Sequence, residues 1–173
     1  NNTIHTLLLS NNTEIGDDIM EDLFVALNKG SNITTLSLSN CGIYNCEWAR
    51  YLPFMSKLES LDLSFNLIDD DEFNKLCKGL EKCYCLKYLN IGYNEFGNMK
   101  STVIEGMLSN NNALIRLSLC GNRCIDSVWT AIYRGLLCNH TLMYLDLSEC
   151  NITIQNATEI CRAFTKNDIC SIY

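Results

Sequence analysis

The feature that most constrains this chain is a leucine pattern that recurs about every 28 residues. In one unit Leu58, Leu61 and Leu63 are followed by Asn66, so the pattern reads leucine, two variable residues, leucine, one variable residue, leucine, two variable residues, then asparagine. Six units match it, with isoleucine or cysteine replacing some of these residues. The units open at Ile4, Ile33, Leu58, Leu86, Leu114 and Leu142. Such a period predicts an array in which each unit packs on the next.

The two halves of each unit have different hydrophobic periods. Alternation in residues 61–64 predicts a short strand with one buried face, whereas Phe73, Leu76 and Leu80 lie at helical spacing. One cycle therefore contains a strand, a turn, a helix and a return. In the first unit the corresponding inward positions of the helix are Ile19 or Met20, Leu23 and Leu27.

Local departures from the pattern carry structural predictions. The second unit is three residues short in its helical half, so we expect one short helix or 3₁₀ turn that buries Trp48 and ends at Pro53. The acidic run 69–72 stands where a helix should begin and lacks the alternating ligands of a calcium loop, so we interpret it as a helix cap. Trp129 aligns with Phe73 and is predicted to lie in the core.

The sixfold pattern resembles the leucine-rich repeat family, and the unit length with its helical second half narrows the resemblance to the ribonuclease-inhibitor-like class. This implies an α/β leucine-rich repeat solenoid, a right-handed horseshoe with a parallel concave sheet and convex helices. We expect six repeats plus the start of a seventh at Ile169 and Ile172. Residues 1–173 are interpreted as a single leucine-rich repeat domain, a fragment of a longer array because neither end shows a polar cap.

Charge and hydropathy restrict the class of partner. The chain carries a net charge of −7, which argues against nucleic acid and anionic membranes because both need basic surfaces. There is no continuous apolar run of about 20 residues, so no membrane span is predicted. We therefore expect a protein partner.

The cysteines favour a reducing compartment. There are 11 of them, an odd number without matched spacing, and several, such as Cys41, Cys77 and Cys150, fall at ladder or helix positions facing the predicted core. We interpret them as free thiols and expect a cytoplasmic location. Six Asn-x-Thr sequons would instead suggest a secreted, glycosylated protein, but a chain so rich in Asn and Thr contains such matches by chance. They begin at Asn1, Asn11, Asn32, Asn139, Asn151 and Asn156.

The residues needed for catalysis or metal binding do not occur in a recognisable arrangement. The two histidines, His5 and His140, are five repeats apart, so neither a histidine-based triad nor a zinc cluster is expected. We predict no enzyme, no catalytic residue, no cofactor and no metal. The recurring Asn is predicted to be structural, because its amide can satisfy backbone groups where the chain leaves the strand, and a Cys thiol can do so in part.

The outward positions between the buried leucines are free to vary without disturbing the core. They are mostly small and hydroxylated in the first three repeats, as at Thr35, Ser37 and Ser39, and become aromatic or charged from repeat three onward. Aromatic residues and Arg dominate binding hot spots. We predict a partner-binding concave face, with the convex face and the flanking loops as alternatives. Its residues are Asp62, Phe65, Tyr88, Asn90, Tyr93, Arg116, Tyr144 and Asp146.

Residues 76–89 resemble the repeats of NOD-like receptors and of ribonuclease inhibitor. The resemblance implies a cytosolic recognition module that senses a ligand, restrains a neighbouring domain or inhibits a bound enzyme, so the partners expected include flanking domains of the same protein. GTPase-activating proteins directed at Ran share this repeat class and provide the alternative function. Arg123, directly after Asn122, is the only residue that could serve it. A scaffold or effector that binds several proteins is a third interpretation.

Overall fold

Within residues 3–166 and 171–172, which the computed structural model describes, seven short strands form one sheet in chain order. Every neighbouring pair is parallel. The strands are β1 (Thr6–Leu8), β2 (Thr35–Ser37), β3 (Ser60–Asp62), β4 (Tyr88–Asn90), β5 (Arg116–Ser118), β6 (Tyr144–Asp146) and β7 (Ser171–Ile172).

A helical segment follows each of the first six strands and packs on its neighbours. Strands in a sheet lie about 4.8 Å apart and packed helices about 8–10 Å apart, so the sheet must line the concave side. The predicted α/β solenoid with its seventh strand is confirmed, although Ile169 lies outside the described residues. The helical segments are α1 (Met20–Asn28), a 3₁₀ helix (Glu47–Phe54), α2 (Asp70–Leu80), α3 (Ser101–Asn110), α4 (Asp126–Cys138) and α5 (Ile154–Lys166).

The core lies between the sheet and the helices. The central residue of each strand from β2 to β6 points into it, and these in-register leucines are at most 3% exposed. The core placement of Trp48 and Trp129 is confirmed, with 2% and 1% of their surface exposed. The indole N–H of each donates to a backbone carbonyl, so neither ring buries an unpaired polar group.

The recurring Asn forms a ladder along the edge of the sheet, as predicted. Asn122 donates from Nδ2 to the carbonyls of Ile91 at 3.0 Å and Leu119 at 2.9 Å, and its Oδ1 accepts from the N–H of Asn94 at 3.0 Å. The Cys150 thiol replaces part of this pattern by donating to the Leu119 carbonyl at 3.1 Å. These residues satisfy backbone groups that would otherwise be buried without partners.

A second asparagine ladder lies where the helices end, and the sequence pattern did not reveal it. Asn139 donates to the Leu108 carbonyl at 2.7 Å and accepts from the Leu142 N–H at 2.7 Å. Asn111 makes the equivalent hydrogen bonds one repeat earlier. Because Asn139 is only 6% exposed, this sequon is closed to glycan attachment in the folded protein.

Two local predictions for the helices are confirmed. The short second repeat forms a single 3₁₀ helix with Pro53 next to its end. The side chain of Asp69 caps α2 by accepting from the Glu72 N–H at 3.0 Å. The acidic run therefore serves the helix terminus.

The prediction for the first helix was partly wrong. Met20 and Phe24 are its fully buried residues, whereas Leu23 is only partly buried and Ile19 is 41% exposed. The Phe24 ring stacks on Trp48 with 4.2 Å between centroids. Because the second repeat lacks a helical turn, these two large rings fill the space between α1 and the 3₁₀ helix.

The cysteines of the described residues are unpaired and mostly buried. All ten cysteines among them are free thiols, and six are buried, in agreement with the prediction. Burial raises the pKa of Cys124 to about 12 and that of Cys150 to about 11. These thiols therefore stay protonated at neutral pH.

None of the helices in the described part of the chain is long and apolar enough to cross a membrane.

Candidate protein-binding face

Strand register aligns the predicted site residues in rows that cross the strands. Tyr88, Arg116 and Tyr144 open three adjacent strands and are direct register partners. Asp62, Asn90 and Asp146 belong to the row two residues further along, in which Ser118 completes the set. Because side chains alternate along a strand, both rows project from the concave face while the leucines between them point inward.

Tyr88, Arg116 and Tyr144 form one cluster, which we call the Tyr-Arg-Tyr cluster. The guanidinium carbon of Arg116 lies over both rings, 6.0 Å from the Tyr88 centroid and 5.4 Å from the Tyr144 centroid. Both distances are in the range of cation–π attraction. No carboxylate of the described residues forms an ion pair with Arg116.

The acidic and amide residues of the next row have a local structural role. Oδ1 of Asp62 accepts from the Ser64 N–H at 3.0 Å and from its hydroxyl at 2.7 Å. Asp146 repeats this arrangement with Ser148 and also accepts from the Ser118 hydroxyl at 3.1 Å. Asn90 accepts from the N–H two residues on, as the aspartates do. Each residue thus closes a turn at the end of its strand, a role that sequence reasoning missed.

These hydrogen bonds affect the titration of Asp146. Partial burial favours its protonated form, but hydrogen bonds from Ser148 and Ser118 to the carboxylate hold its pKa below the usual value. Asp146 therefore remains a hydrogen-bonded anion at neutral pH.

A second aromatic cluster lies beyond the strand ends. Phe65 and Tyr93 stack nearly parallel, with 4.5 Å between centroids and 8° between planes. The Tyr93 hydroxyl donates to Oε1 of Glu149 at 2.8 Å, and its ring lies so close to Gly121 that an added Cβ would be 2.5 Å from it. Hydrogen bonds with Cys120 and with Glu149 raise the pKa of Tyr93. We call Phe65, Tyr93 and Glu149 the strand-end cluster.

The strand-end cluster occupies a backbone position of unusual conformation. In every repeat the residue before the ladder Asn or Cys is left-handed, with φ between 53° and 72°. Asn and Gly tolerate this conformation, whereas other L-residues are strained by about 1–2 kcal/mol. Phe65 and Tyr93 are therefore held where the backbone disfavours them. The residues at this position are Asn11, Asn40, Phe65, Tyr93, Gly121 and Glu149.

We call the concave surface between the two clusters the trough. Tyr88 and Tyr93 are five residues apart, or about 16 Å along an extended chain, and Gly92 and Cys120 lie between the two clusters. The part next to the Tyr-Arg-Tyr cluster is a groove of about 420 Å³ that Asp62 and Asp146 also line. All eight predicted site residues thus lie in or beside this trough, and binding by them remains a prediction.

Glu149 and Gly121 complete the trough, and the prediction omitted both. Glu149 fixes the Tyr93 hydroxyl, and Gly121 leaves room for the Tyr93 ring. Their signal was present in the sequence, because both stand at the position that carries Asn11 and Asn40 in the first two repeats. An Asn or Gly recurring at one offset is typical of left-handed backbone.

Arg123, the candidate residue for GTPase activation, lies outside the trough. Arg123 is exposed and borders a separate groove of about 410 Å³ that the carboxylates of Asp70 and Glu95 also line. Nowhere in residues 3–166 and 171–172 do three or more His, Cys, Asp or Glu side chains lie close enough together to hold a metal ion.

Comparison with known proteins agrees with this fold. Residues 54–71 and 138–153 match the family model described as Leucine Rich repeat. Actin-binding site 2 of leiomodin-1 matches with a TM-score of 0.68 and 17% identity, over 87% of this chain and 90% of that chain. The tropomodulin C-terminal domain of Caenorhabditis elegans matches with a TM-score of 0.66 and 15% identity, over 86% and 93%. At these identities the likeness shows the fold, a leucine-rich repeat solenoid.

Proposed function

We propose that this leucine-rich repeat solenoid is a non-catalytic interaction module that binds a protein partner through the concave trough of repeats three to six. The observation that carries the proposal is the convergence of the Tyr-Arg-Tyr cluster and the strand-end cluster on one face. The first two strands place mostly small hydroxylated residues at the same positions. Tyr and Arg are enriched in binding hot spots, and an aromatic wall on each side of a trough suits a protein segment.

The strain at Phe65 and Tyr93 supports this proposal. Both residues adopt the left-handed conformation and are 54% and 36% exposed. A strained, exposed aromatic side chain adds little to folding compared with a buried one. Binding to a partner would explain why this position carries Phe and Tyr where Asn or Gly fits the backbone better.

The cellular location and the type of interaction module are also proposed. Free buried thiols support a reducing, cytoplasmic setting. The resemblance to NOD-like receptors and ribonuclease inhibitor favours a sensor, scaffold or inhibitor, whose partner is a separate protein or a flanking domain. The leiomodin-1 neighbour is described as an actin-binding site, so actin is one protein to include among the probes of this face.

Stimulation of a GTPase through Arg123 is the rival function. The carboxylates of Asp70 and Glu95 line the same groove as Arg123 and would repel the phosphates of a bound nucleotide. We therefore favour the non-catalytic module. A GTP hydrolysis assay with a panel of small GTPases would reverse this preference if stimulation occurred and Arg123→Ala abolished it.

Affinity selection followed by variant analysis tests the proposed function. A displayed library of random peptides, long enough to cross the four strands of the trough, is selected on the wild-type chain, and the selected peptides are measured in solution. We expect Tyr88→Ala combined with Tyr144→Ala to weaken binding by about tenfold or more. Thermal stability should be nearly unchanged, because both side chains lie outside the leucine core.

The matched control is Tyr44→Ala combined with Tyr84→Ala. These tyrosines are 61% and 74% exposed and lie in connecting loops away from the trough. The control should bind the peptides as the wild type does. Peptides that bind both double variants equally well, or a library that gives no binder of the wild-type face, would contradict the proposed function.

A further inference from the structure

We propose that Arg116, held between Tyr88 and Tyr144, is the anchor for an acidic side chain, Asp or Glu, on the partner segment that enters the trough. This inference rests on the proposed function and specifies the chemistry of the partner.

Arg116 has no hydrogen-bond acceptor among the described residues. A guanidinium carries five N–H donors, and no carboxylate or carbonyl of the described residues forms a hydrogen bond or ion pair with it. The neighbouring cation Lys87, one residue before Tyr88, is paired with Glu59 at 2.8 Å. Arg50 and Lys75 on the convex side are likewise paired with glutamates. The concave face therefore offers an arginine whose donors are available to a ligand.

The carboxylates of the same face are already occupied. Asp62 accepts from Ser64 and from the Ser37 hydroxyl, and Asp146 accepts from Ser148 and Ser118. The Glu149 carboxylate accepts from the Tyr93 hydroxyl. Hydrogen bonds from neutral groups leave these carboxylates charged, but each of them already has donors. Among the described charged residues of this face, Arg116 is the one with neither a hydrogen bond nor an ion pair, and an anion is the acceptor that its N–H donors bind best.

The two tyrosines prepare Arg116 for this role. The guanidinium carbon lies within cation–π range of both rings, which restricts the side chain, while neither ring accepts a hydrogen bond in its plane from the five N–H donors. A restricted guanidinium loses less rotamer freedom when it binds, and its fork matches the two oxygens of a carboxylate. Lys would carry the same charge without the planar fork or the stacking.

The surroundings favour a carboxylate over a phosphate. Asp146 stands on the strand next to that of Arg116, two residues beyond its register partner Tyr144, and Asp62 lines the same groove. These anions repel a doubly charged phosphate more strongly than a singly charged carboxylate. The strand-end cluster on the far side of the trough offers an aromatic contact to other side chains of the same ligand. A protein segment with an acidic residue fits both parts of the trough.

A double-mutant cycle with the selected peptides tests the inference. Each Asp or Glu of a peptide is replaced by Asn or Gln, and binding is measured to the wild type and to Arg116→Lys. We expect one acidic residue whose replacement weakens binding to the wild type by about tenfold and to Arg116→Lys by no more than about twofold. Arg134→Lys is the matched control, because Arg134 lies exposed on α4 beside Glu105, away from the trough. It should behave as the wild type.

The outcomes separate this inference from the proposed function. Peptides that lose affinity for Tyr88→Ala combined with Tyr144→Ala, yet need no acidic residue or keep full affinity for Arg116→Lys, would overturn the Arg116 anchor and leave the interaction module intact. Peptides indifferent to the tyrosines would overturn both. Unfolding curves of Arg116→Lys and the wild type should coincide, so a loss of binding does not reflect a loss of folding.

Discussion

The concave surface of strands β1 and β2 differs from that of β4 to β6, although both have the same backbone and register. In the first part hydroxyls satisfy one another, as where Ser10 and Ser37 share a hydrogen bond of 2.7 Å. In the second part the equivalent rows carry the Tyr-Arg-Tyr cluster, and Arg116 has donors without acceptors in the described chain. The residues that recur in every repeat stabilise the solenoid. The outward residues that differ between the early and the later repeats form the candidate site.

The same contrast holds at the left-handed position before each ladder residue. Asn40 fits this backbone and donates to Asn11 at 3.1 Å, whereas Phe65 and Tyr93 are strained there and stack on each other. One geometry thus serves local hydrogen bonding in the early repeats and presents aromatic rings in the later ones.

A core truncation should have the largest effect on stability, because the two halves share one core. Leu63 is fully buried, so Leu63→Ala should lower the free energy of unfolding by about 2–5 kcal/mol. Leu8→Ala is the control, since Leu8 is 67% exposed on the first strand and its truncation should cost less than about 0.5 kcal/mol. Urea unfolding followed by circular dichroism measures both; equal losses would contradict the inward and outward assignment.

Truncating the asparagine ladder should show a difference between its buried and its exposed members. Asn122 is fully buried and donates to three carbonyls, so Asn122→Ala should cost about 2–3 kcal/mol because buried groups lose their partners. Asn12 is exposed and bonds only within its own repeat among the described residues, so Asn12→Ala should cost less than about 1 kcal/mol. The same unfolding measurement distinguishes them. A larger loss for Asn12 would show that the ladder does not depend on burial.

Exchanging residues at the left-handed position should separate stability from binding. In Phe65→Asn the relief of about 1–2 kcal/mol of backbone strain offsets the loss of the ring stack, worth about 0.5–1.5 kcal/mol. Stability should therefore stay within about 1 kcal/mol of the wild type, while affinity for the selected peptides falls. The reciprocal Asn40→Phe should destabilise the fold by about 1 kcal/mol or more. If Phe65→Asn binds with full affinity, the strand-end cluster is not part of the site.

The smallest effect concerns acid stability in the later repeats. The pKa of Asp146 is lower in the folded protein than its usual value near 3.8. Its contribution to stability is therefore present above the unfolded pKa and is lost as the pH falls through the lower folded value. Asp146→Asn should lose less stability than the wild type between neutral pH and that acid range. Parallel pH profiles of urea unfolding for the two proteins would contradict the hydrogen-bonded anion.

The fold could be predicted because its determinants repeat. Three kinds of position recur at a fixed offset in the repeats, so one unit predicts the structure of the others. They are the strand leucine of Leu61, the ladder position of Asn122 and the aromatic core position of Trp129. Phe24 was missed because its burial depends on Trp48 filling the space left in the next repeat. The second ladder at Asn111 and Asn139 was missed because only two repeats share it.

The candidate site could be predicted only as a set of outward positions. Periodicity places Tyr88, Arg116 and Tyr144 on one face, but their cation–π contacts depend on strand register and side-chain torsions. The contact between Tyr93 and Glu149 joins residues 56 positions apart, and it depends on left-handed backbone at both. The turns closed by Asp62 and Asp146 involve neighbouring serines whose roles a pattern of buried leucines does not reveal.

The central claim, that the trough of the later repeats is the binding surface, is tested most directly by mapping a selected peptide on the protein. Amide chemical shifts are recorded by NMR during titration of the wild-type chain with that peptide. We predict that the largest changes fall in residues 88–93, 116–121 and 144–149, with little change in 6–11 and 35–40. Changes concentrated instead in the convex helices, or in the loops around Arg123, would contradict a concave binding site.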